Sequence, residues 1–199
     1  RRPIPDEVLA LVVAAGRHVP SGGNRHSHRV TVVTDDGIKQ ELLDRFLVYY
    51  GRLRQLIGSP LVRMVGRLFL NPVERAFLSD PKYGKTMAML LDRFEAGEDP
   101  VFYGAPAVLI VHTPVLIPTP QEDAILSAFA MVLMAQSLSL GTCFVSLAQK
   151  GLSADKHCKT LVGVPADDYI HAVVVMGYPD VAYLRPVPKP AQVDQGRLQ

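Results

Sequence analysis

The residues of this chain that are best suited to chemistry lie in one polar segment, residues 18–30, which reads HVPSGGNRHSHRV. His26 and His28 stand two positions apart, and on a strand such side chains share a face, which is half of a zinc site. His18 would be a distant third ligand, but no carboxylate or cysteine close by in the sequence completes the set. The spacing therefore favours solvated loop histidines, and we predict no metal site.

The same segment contains PSGGN at residues 20–24, which has the composition of a cofactor loop. Its glycines would let backbone N–H groups come close to a ligand, and Ser21 adds a hydroxyl. Asn24 offers both a donor and an acceptor, as the edge of a heterocycle with adjacent C=O and N–H groups requires. An ordinary turn between a helix and a strand uses the same residue types, so the residues alone leave both interpretations open.

Two common nucleotide-binding signatures are incomplete. The run Gly84-Lys85-Thr86 resembles the end of a Walker motif, but Ser79 stands where the first glycine of that motif belongs. No GxGxxG follows a predicted strand, so the Rossmann fingerprint is missing as well. The sequence therefore predicts neither kind of phosphate site.

Helical and strand patterns alternate around the polar segment. Acidic residues at the start and glycine at the end mark helices, and β-branched runs mark strands. The apolar runs at 108–111, 142–147 and 170–176 predict buried strands, and the run at 108–111 is typical of a strand buried on both faces. The pattern predicts a layered α/β or α+β domain. The predicted helices cover residues 6–16, 38–95 with breaks at 58–60, 71–72 and 80–81, 122–140 and 153–162, and the predicted strands cover 29–34, 108–111, 142–147 and 170–176.

The length of 199 residues is enough for one domain with a full hydrophobic core. We therefore expect a single domain over residues 1–199. Within it, residues of about 41–95 form a helical cover, and residues of about 180–199 form an extended, proline-containing C-terminal arm.

Charge and apolar patterning argue against two classes of partner. The net charge is +2 and the basic residues are spread along the chain, whereas a nucleic-acid-binding module needs a concentrated basic surface. The apolar helix predicted at 122–140 is interrupted by Ser127 and Gln136, so we expect a core or dimer-interface helix and no membrane span. Cys143 and Cys158 lack CxxC spacing, which indicates a reduced, cytoplasmic protein.

Four segments, in this order, resemble the nitroreductase family of flavin-binding proteins. They are PSGGN at 20–24, FYGAPAVLIV at 102–111, the run 122–147 that ends in LSLGTCFVSL, and GVPADDYIHAVVVMGYPDVAYLR at 163–185. More specifically, they resemble the branch often fused downstream of a ferredoxin-like iron–sulfur domain, which shares PSGGNR, the acidic pair before the long helix and GYP followed by Tyr-x-Arg. The resemblance implies an α+β nitroreductase-like fold, with a mostly antiparallel central sheet flanked by helices, and an intertwined homodimer.

The family resemblance also implies FMN, bound at each of two sites in the dimer interface. The strand end matched by Val145, Ser146 and Leu147 turns backbone N–H groups toward the N5 and O4 edge of the flavin, where they stabilise negative charge. Arg185 matches a C-terminal residue that clamps the phosphate, and Lys189 would assist it. The other expected contacts, mainly to the flavin of the partner subunit, come from Pro20, Ser21, Gly22 and Asn24.

The chain departs from the family pattern at two places. Family members usually carry an Arg-Arg-Ser-x-Arg-like segment upstream of the position of Ile4, and it supplies most phosphate contacts, whereas here Arg1 and Arg2 begin the chain. Beyond the PSGGN motif the family commonly has Gln-Pro where this chain has His26 and Ser27. The contacts at those two positions are therefore not carried over.

The activity implied by the resemblance is electron transfer through the flavin. A reduced donor, NAD(P)H or ferredoxin, delivers electrons, and a small-molecule acceptor such as a nitro compound or a quinone removes them. No side chain need act as an acid or base. We expect Tyr83, Phe102 and Tyr103 to line the acceptor pocket beneath the helical cover. The alternative is a non-catalytic flavin- or ligand-binding dimer of the same fold.

Overall fold

The centre of the molecule is an antiparallel sheet with helices on both faces. The computed structural model describes residues 2–59, 81–114 and 118–181. Its elements in chain order are α1 (Asp6–Arg17), a 3-10 turn (Gly22–Asn24), β1 (Arg29–Val33), α2 (Asp36–Gly58), α3 (Pro81–Glu95), β2 (Ala107–Thr113), α4 (Pro120–Ser137), β3 (Gly141–Phe144), α5 (Ser146–Ala154), α6 (Lys156–Leu161) and β4 (Tyr169–Gly177). The four strands lie in the order β1-β2-β4-β3, and each neighbouring pair is antiparallel.

Each face of the sheet has its own apolar core, because side chains of a strand alternate between the faces. Strand β2 is buried along its whole length. It sends Val108 and Ile110 to the core covered by α2, α3 and α5, and Leu109 and Val111 to the core covered by α1 and α4. This double coverage explains why its sequence is a continuous apolar run.

Most predicted elements are present, with ends that differ by a few residues. The sheet confirms the expected mostly antiparallel, α+β arrangement, and the predicted break at 58–60 coincides with the end of α2 at Gly58. The predicted break at 71–72 and the arm from residue 182 onward lie outside the described residues. In the part of the chain that is described, no helix combines the length and the apolar run needed to cross a membrane.

The predicted strand 142–147 is wrong in its end and in its burial. The strand stops at Phe144, and Ser146 begins α5. Because β3 is an edge strand, Cys143 and Phe144 are exposed in this chain rather than buried on both faces. Apolar residues stand on both sides of Ser146, so the composition does not show the change to a helix.

Two predicted helix ends are also wrong. The helix predicted at 153–162 is two helices, because the Asp155 side chain accepts a hydrogen bond from the His157 N–H at 2.8 Å and starts α6. Gly16 was expected to end the first helix, but it lies inside α1. A Cβ at Gly16 would stand 2.7 Å from Met131 Cγ, so the glycine permits close packing of α1 on α4.

The two cysteines are free thiols in opposite environments. Cys158 is 0% exposed, and its Sγ lies 3.6 Å from Asp155 Oδ2. Burial, followed by the charge of that carboxylate, raises the pKa of the Cys158 thiol to about 12. Cys143, on the edge strand, is exposed.

We expect a thiol reagent at pH 8 to modify Cys143 and to leave Cys158 unmodified in the folded protein. The thiolate is the reactive species, and a pKa of about 12 keeps the Cys158 thiol almost entirely protonated at that pH. Mass spectrometry of peptides after brief alkylation locates the label, and Cys143→Ser is the control that should remove the fast reaction. Equal labelling of both cysteines in the folded protein would contradict the burial of Cys158.

Gly151 allows α5 to lie directly against α2. A Cβ at Gly151 would stand 2.5 Å from Cδ1 and Cε1 of Phe46, whose side chain is 1% exposed. Gly51, inside α2, has nothing within 4 Å of the same added atom. An added Cβ is therefore in close contact with a side chain at Gly151 and in open space at Gly51, so Gly51 is a matched control for Gly151.

We expect Gly151→Ala to lower the free energy of unfolding by about 1–3 kcal/mol, because the buried Phe46 ring must move in a filled core. Gly51→Ala should raise it by about 0.5–1 kcal/mol through helix propensity alone. Urea unfolding at one fixed protein concentration measures both values. The packing argument fails if the two variants are equally stable.

Candidate functional site

The PSGGN segment forms a tight loop between α1 and β1. Gly23 has φ 62°, Asn24 has φ 54° and His26 has φ 47°. This left-handed region is accessible to glycine and costs less for asparagine than for most other residues. The residue types at 23 and 24 therefore fix the shape of the loop, and both residues are exposed.

Hydrogen bonds inside the loop leave the Ser21 hydroxyl and the Asn24 side-chain amide able to donate to a ligand. The Asn24 N–H donates to Ser21 O at 2.9 Å, and the His26 N–H donates to Ser21 Oγ at 2.8 Å. His26 Nε2 donates to Asn24 Oδ1 at 2.8 Å. Because Ser21 Oγ and Asn24 Oδ1 act as acceptors in these bonds, the Ser21 hydroxyl proton and the Asn24 amide N–H groups remain as donors.

The buried carboxylate of Asp123, on α4, anchors the loop through hydrogen bonds. Asp123 is 4% exposed, and its two oxygens lie 3.0 and 3.2 Å from the Gly22 N–H that they accept from. Thr119 Oγ1 donates to Asp123 Oδ1 at 3.0 Å. A Cβ at Gly22 would overlap Thr119 Oγ1, so this position requires glycine. In the sequence Asp123 is visible only as an acidic residue in the first turn of a helix, and its role was missed.

The predicted contact residues at 145–147 form the start of α5. The Val145 N–H donates to Val173 O at 2.9 Å, so that donor is used inside the sheet. Ser146 and Leu147 are in the first turn, where backbone N–H groups have no partner within the helix and carry its positive end. Tyr50, which is 1% exposed, donates its hydroxyl to Leu147 O at 2.7 Å and fixes this turn.

The residues predicted to line an acceptor pocket differ in their surroundings. Phe102 is 0% exposed and lies in the core, with its ring centroid 6.0 Å from that of Phe46. Tyr103 is 50% exposed and has φ 55°. Tyr83 lies in α3, with a side chain outside the described part. Arg185 and Lys189 also lie outside the described residues.

The histidines of the loop have different surroundings. Among residues 2–59, 81–114 and 118–181, no group of three or more His, Cys, Asp or Glu side chains is arranged to hold a metal ion. The solvated interpretation is wrong for His28, which is 7% exposed and donates from Nε2 to Gly16 O at 3.0 Å. His26 is exposed, as expected.

A second polar cluster, which the sequence interpretation missed, lies inside the sheet. His112 Nδ1 is 2.6 Å from Asp168 Oδ2, and His112 Nε2 is 3.1 Å from Thr31 Oγ1. Lys159 donates to Asp168 O at 2.7 Å. His112 is 3% exposed, so the cluster ties β1 and β2 to the segment before β4 and offers a substrate no approach. The sequence feature that could have revealed this cluster is the histidine within an otherwise apolar strand.

Comparison with known proteins identifies the relatives of this fold. The chain matches the model of the nitroreductase family over residues 1–178. No curated protein sequence matches it. Among solved structures it is similar to a nitroreductase with bound FMN from Desulfitobacterium hafniense DCB-2, with 21% identity, 97% of this chain and 89% of that chain covered, and a TM-score of 0.65.

Two further solved structures share the fold. Oxidised iodotyrosine deiodinase bound to FMN and 3-iodo-L-tyrosine has 17% identity, 98% of this chain and 90% of that chain covered, and a TM-score of 0.62. The FMN- and NADPH-dependent nitroreductase NfnB from Sphigopyxis sp. strain HMH has 18% identity, 94% and 87% coverage, and a TM-score of 0.59. The family match spans nearly the whole described chain. The chain therefore belongs to the nitroreductase family.

Proposed function

We propose that this protein is an FMN-dependent oxidoreductase that passes electrons from NAD(P)H through the flavin to a nitro compound, a quinone or a similar small acceptor. The observation that carries the proposal is the PSGGN loop, which Asp123 holds by the Gly22 N–H while Ser21 and Asn24 keep donors for a ligand. Support also comes from the FMN named in the structures of the relatives.

The residues present fit FMN at two places. Ser21 and Asn24 offer donors on a loop whose exposed glycine allows close approach. The first-turn N–H groups of Ser146 and Leu147 offer a positive helix end. Bound FMN would supply the redox chemistry. The residues that we propose to contact FMN are Pro20, Ser21, Gly22, Asn24, Ser146 and Leu147. Val145 is the N-cap of the helix that begins there. Arg185 and Lys189 would bind the phosphate group of FMN.

The protein's own part in the reaction is binding and electrostatics. The N–H groups of Ser146 and Leu147 would stabilise negative charge that develops on the flavin edge, and Tyr50 keeps their turn in place. We propose that Tyr83 and Tyr103 face the acceptor, with Phe102 supporting them from the core. Proton transfer by a side chain is not required for this chemistry.

The choice of donor and acceptor rests on relatives. NfnB is named as NADPH-dependent, which favours a nicotinamide donor for this chain. A reduced ferredoxin is the alternative donor, because of the resemblance to the branch with a fused iron–sulfur domain. The structural relatives include an iodotyrosine deiodinase bound to 3-iodo-L-tyrosine, so the fold alone does not specify the acceptor. We place the reaction in the cytoplasm, where thiols such as Cys143 stay reduced.

We also propose a homodimer built on α4. Ile125, Phe129 and Leu133 follow one another at four-residue spacing on this helix, and they are 41%, 52% and 51% exposed. Leu126, beside them, is 47% exposed. A row of large apolar side chains on one helix face is typical of an interface, and we assign a second copy of the chain to it. Each flavin would then contact residues 20–24 of one subunit and 145–147 of the other.

We expect the purified protein to be yellow and to lose its flavin absorbance when NADPH or NADH is added without oxygen. Gly22→Ala should weaken FMN binding about tenfold, because the added Cβ displaces the loop from Thr119 and breaks the bond to Asp123. Adding Thr119→Ala to that variant should restore part of the affinity, since it removes the overlapping atom. Gly51→Ala is the control.

A protein that takes up no FMN would contradict the proposed function. Bound flavin that neither NADH, NADPH nor a reduced ferredoxin can reduce would instead support the non-catalytic, flavin-binding alternative. Unchanged FMN affinity in Gly22→Ala would show that the loop does not contribute to FMN binding. Flavin fluorescence gives the affinity, and absorbance gives the redox state.

We expect Phe129→Glu to convert the dimer into a monomer and to reduce FMN binding with it, because a charge would be buried in the apolar contact. Val48→Glu, at a position on α2 with the same 52% exposure, is the matched control and should leave the assembly unchanged. Sedimentation velocity measures the assembly. A monomeric wild-type protein, or a dimer that survives Phe129→Glu, would overturn this interface.

A further inference from the structure

One histidine contacts both side chains of the PSGGN loop that keep donors for a ligand. The backbone N–H of His26 donates to Ser21 Oγ at 2.8 Å, and the ring nitrogen Nε2 of His26 lies 2.8 Å from Asn24 Oδ1. Each contact occupies an acceptor atom and leaves the hydroxyl proton or the amide N–H groups of the same side chain. The two donors of the loop therefore depend on one neighbouring residue.

The contact with Asn24 determines which end of its amide is left for a ligand. A side-chain amide has an acceptor end and a donor end, and a half-turn about its last bond exchanges them. A carbonyl oxygen only accepts, so the contact at Oδ1 requires a proton on Nε2 of His26, which one tautomer of the neutral ring carries. With Oδ1 bound in this way, Asn24 offers N–H donors to the acceptor atoms of a ligand.

The backbone of the loop prepares the contact between the two side chains. Asn24 has φ 54° and His26 has φ 47°, and the Asn24 N–H donates to Ser21 O at 2.9 Å. The left-handed conformation is strained for histidine and persists only where other contacts hold it. The bond from the His26 N–H to Ser21 Oγ is such a contact. The ring therefore meets the amide without further ordering of the main chain.

The bond between the two side chains is better suited to orienting a ligand contact than to supporting the fold. Both side chains are exposed, so water competes for the bond, and the two residues are only two positions apart. Such a bond contributes little to the stability of the folded chain. A ligand that needs a donor nevertheless gains from an amide that already has the correct orientation.

We propose that His26 is a positioning residue for FMN, whose Nε2–H holds the Asn24 amide with its N–H groups directed at the cofactor. The identity of the ligand rests on the proposed function, whereas the orientation of the amide does not. His26 need not touch FMN itself. The contribution of His26 to FMN affinity then passes entirely through Asn24.

Two replacements of His26 separate the side-chain bond from the backbone conformation. Glutamine carries a nitrogen as far along its side chain as Nε2 of histidine, whereas asparagine is one bond shorter but tolerates the left-handed region better. We expect His26→Asn to weaken FMN binding about fivefold, as for the loss of one ordinary hydrogen bond, and His26→Gln to weaken it less. Backbone strain alone predicts the reverse order, and that order would overturn the role of the ring.

A double-mutant cycle tests whether His26 acts through Asn24. In the Asn24→Ala background, His26→Asn should cause no further loss of FMN affinity, because the amide that His26 orients is absent. Losses that multiply would show that His26 acts on FMN independently and would refute the positioning role. His18→Asn, which alters an exposed histidine whose ring bonds Ala14 O, is the matched control and should leave the affinity unchanged. Flavin fluorescence measures the affinity of every variant.

Nitrogen NMR of the histidine rings reports the bond without flavin. At a pH where the ring is neutral, Nε2 of His26 should carry the proton in the wild-type protein, and Asn24→Ala should shift the ring toward the other tautomer. An unprotonated Nε2 would mean that the amide has the opposite orientation, which contradicts the proposed role.

The same measurements distinguish failure of this role from failure of the proposed function. A wild-type protein that takes up no FMN would refute the proposed function, and with it a role of His26 toward FMN. A wild-type protein that binds FMN, together with an unchanged affinity in His26→Asn, would refute the role of His26 alone.

Discussion

The candidate site depends on one buried ionic hydrogen bond, between the Asp123 carboxylate and the Gly22 N–H. A carboxylate in the interior is costly unless its oxygens are satisfied, and here the loop and Thr119 satisfy them. The position at the start of α4 also places the negative charge at the positive end of a helix. The loop that presents Ser21 and Asn24 is therefore anchored to the helix on which the proposed dimer is built.

Helix α4 combines two apolar surfaces with different sizes of side chain. Small residues, among them Ala124, Ala128 and Ala135, are buried toward the sheet, where α1 approaches closely through Gly16. Larger residues such as Phe129 and Leu133 face outward. A helix that is apolar on nearly every side is expected when both of its faces are to be covered. This arrangement accounts for a helix whose sequence is apolar on nearly every side.

The sequence was most informative where one local pattern determined the structure. The apolar run at 108–111 predicted a strand buried on both faces, and the acidic start of α4 predicted a helix. It was least informative at Val145, the N-cap of α5, which makes no capping hydrogen bond through its side chain. Ser146 is the one polar residue at that boundary, and the apolar residues on both sides of it extended the predicted strand through it.

Contacts between distant residues were also beyond reach of the sequence. Gly22 and Asp123 are 101 positions apart, and His112 and Asp168 are 56 apart. The types of these residues suggested only a turn, a helix start and a strand, because a partner can be recognised only once the fold brings it near. For the same reason His28 was taken for a solvated residue, although the carbonyl of Gly16 lies 3.0 Å from its ring.

The contact between Gly151 and Phe46 has a geometric consequence for the start of α5. The helix has nine residues, so Gly151 lies little more than one turn from Ser146 and Leu147. Because α5 is rigid over this distance, a shift of a few tenths of an ångström at Gly151 is transmitted to the first-turn amides almost undiminished. Hydrogen-bond strength falls steeply with such displacements. The absence of a side chain at Gly151 thus affects the direction of N–H donors that lie roughly 6–7.5 Å away along the helix axis.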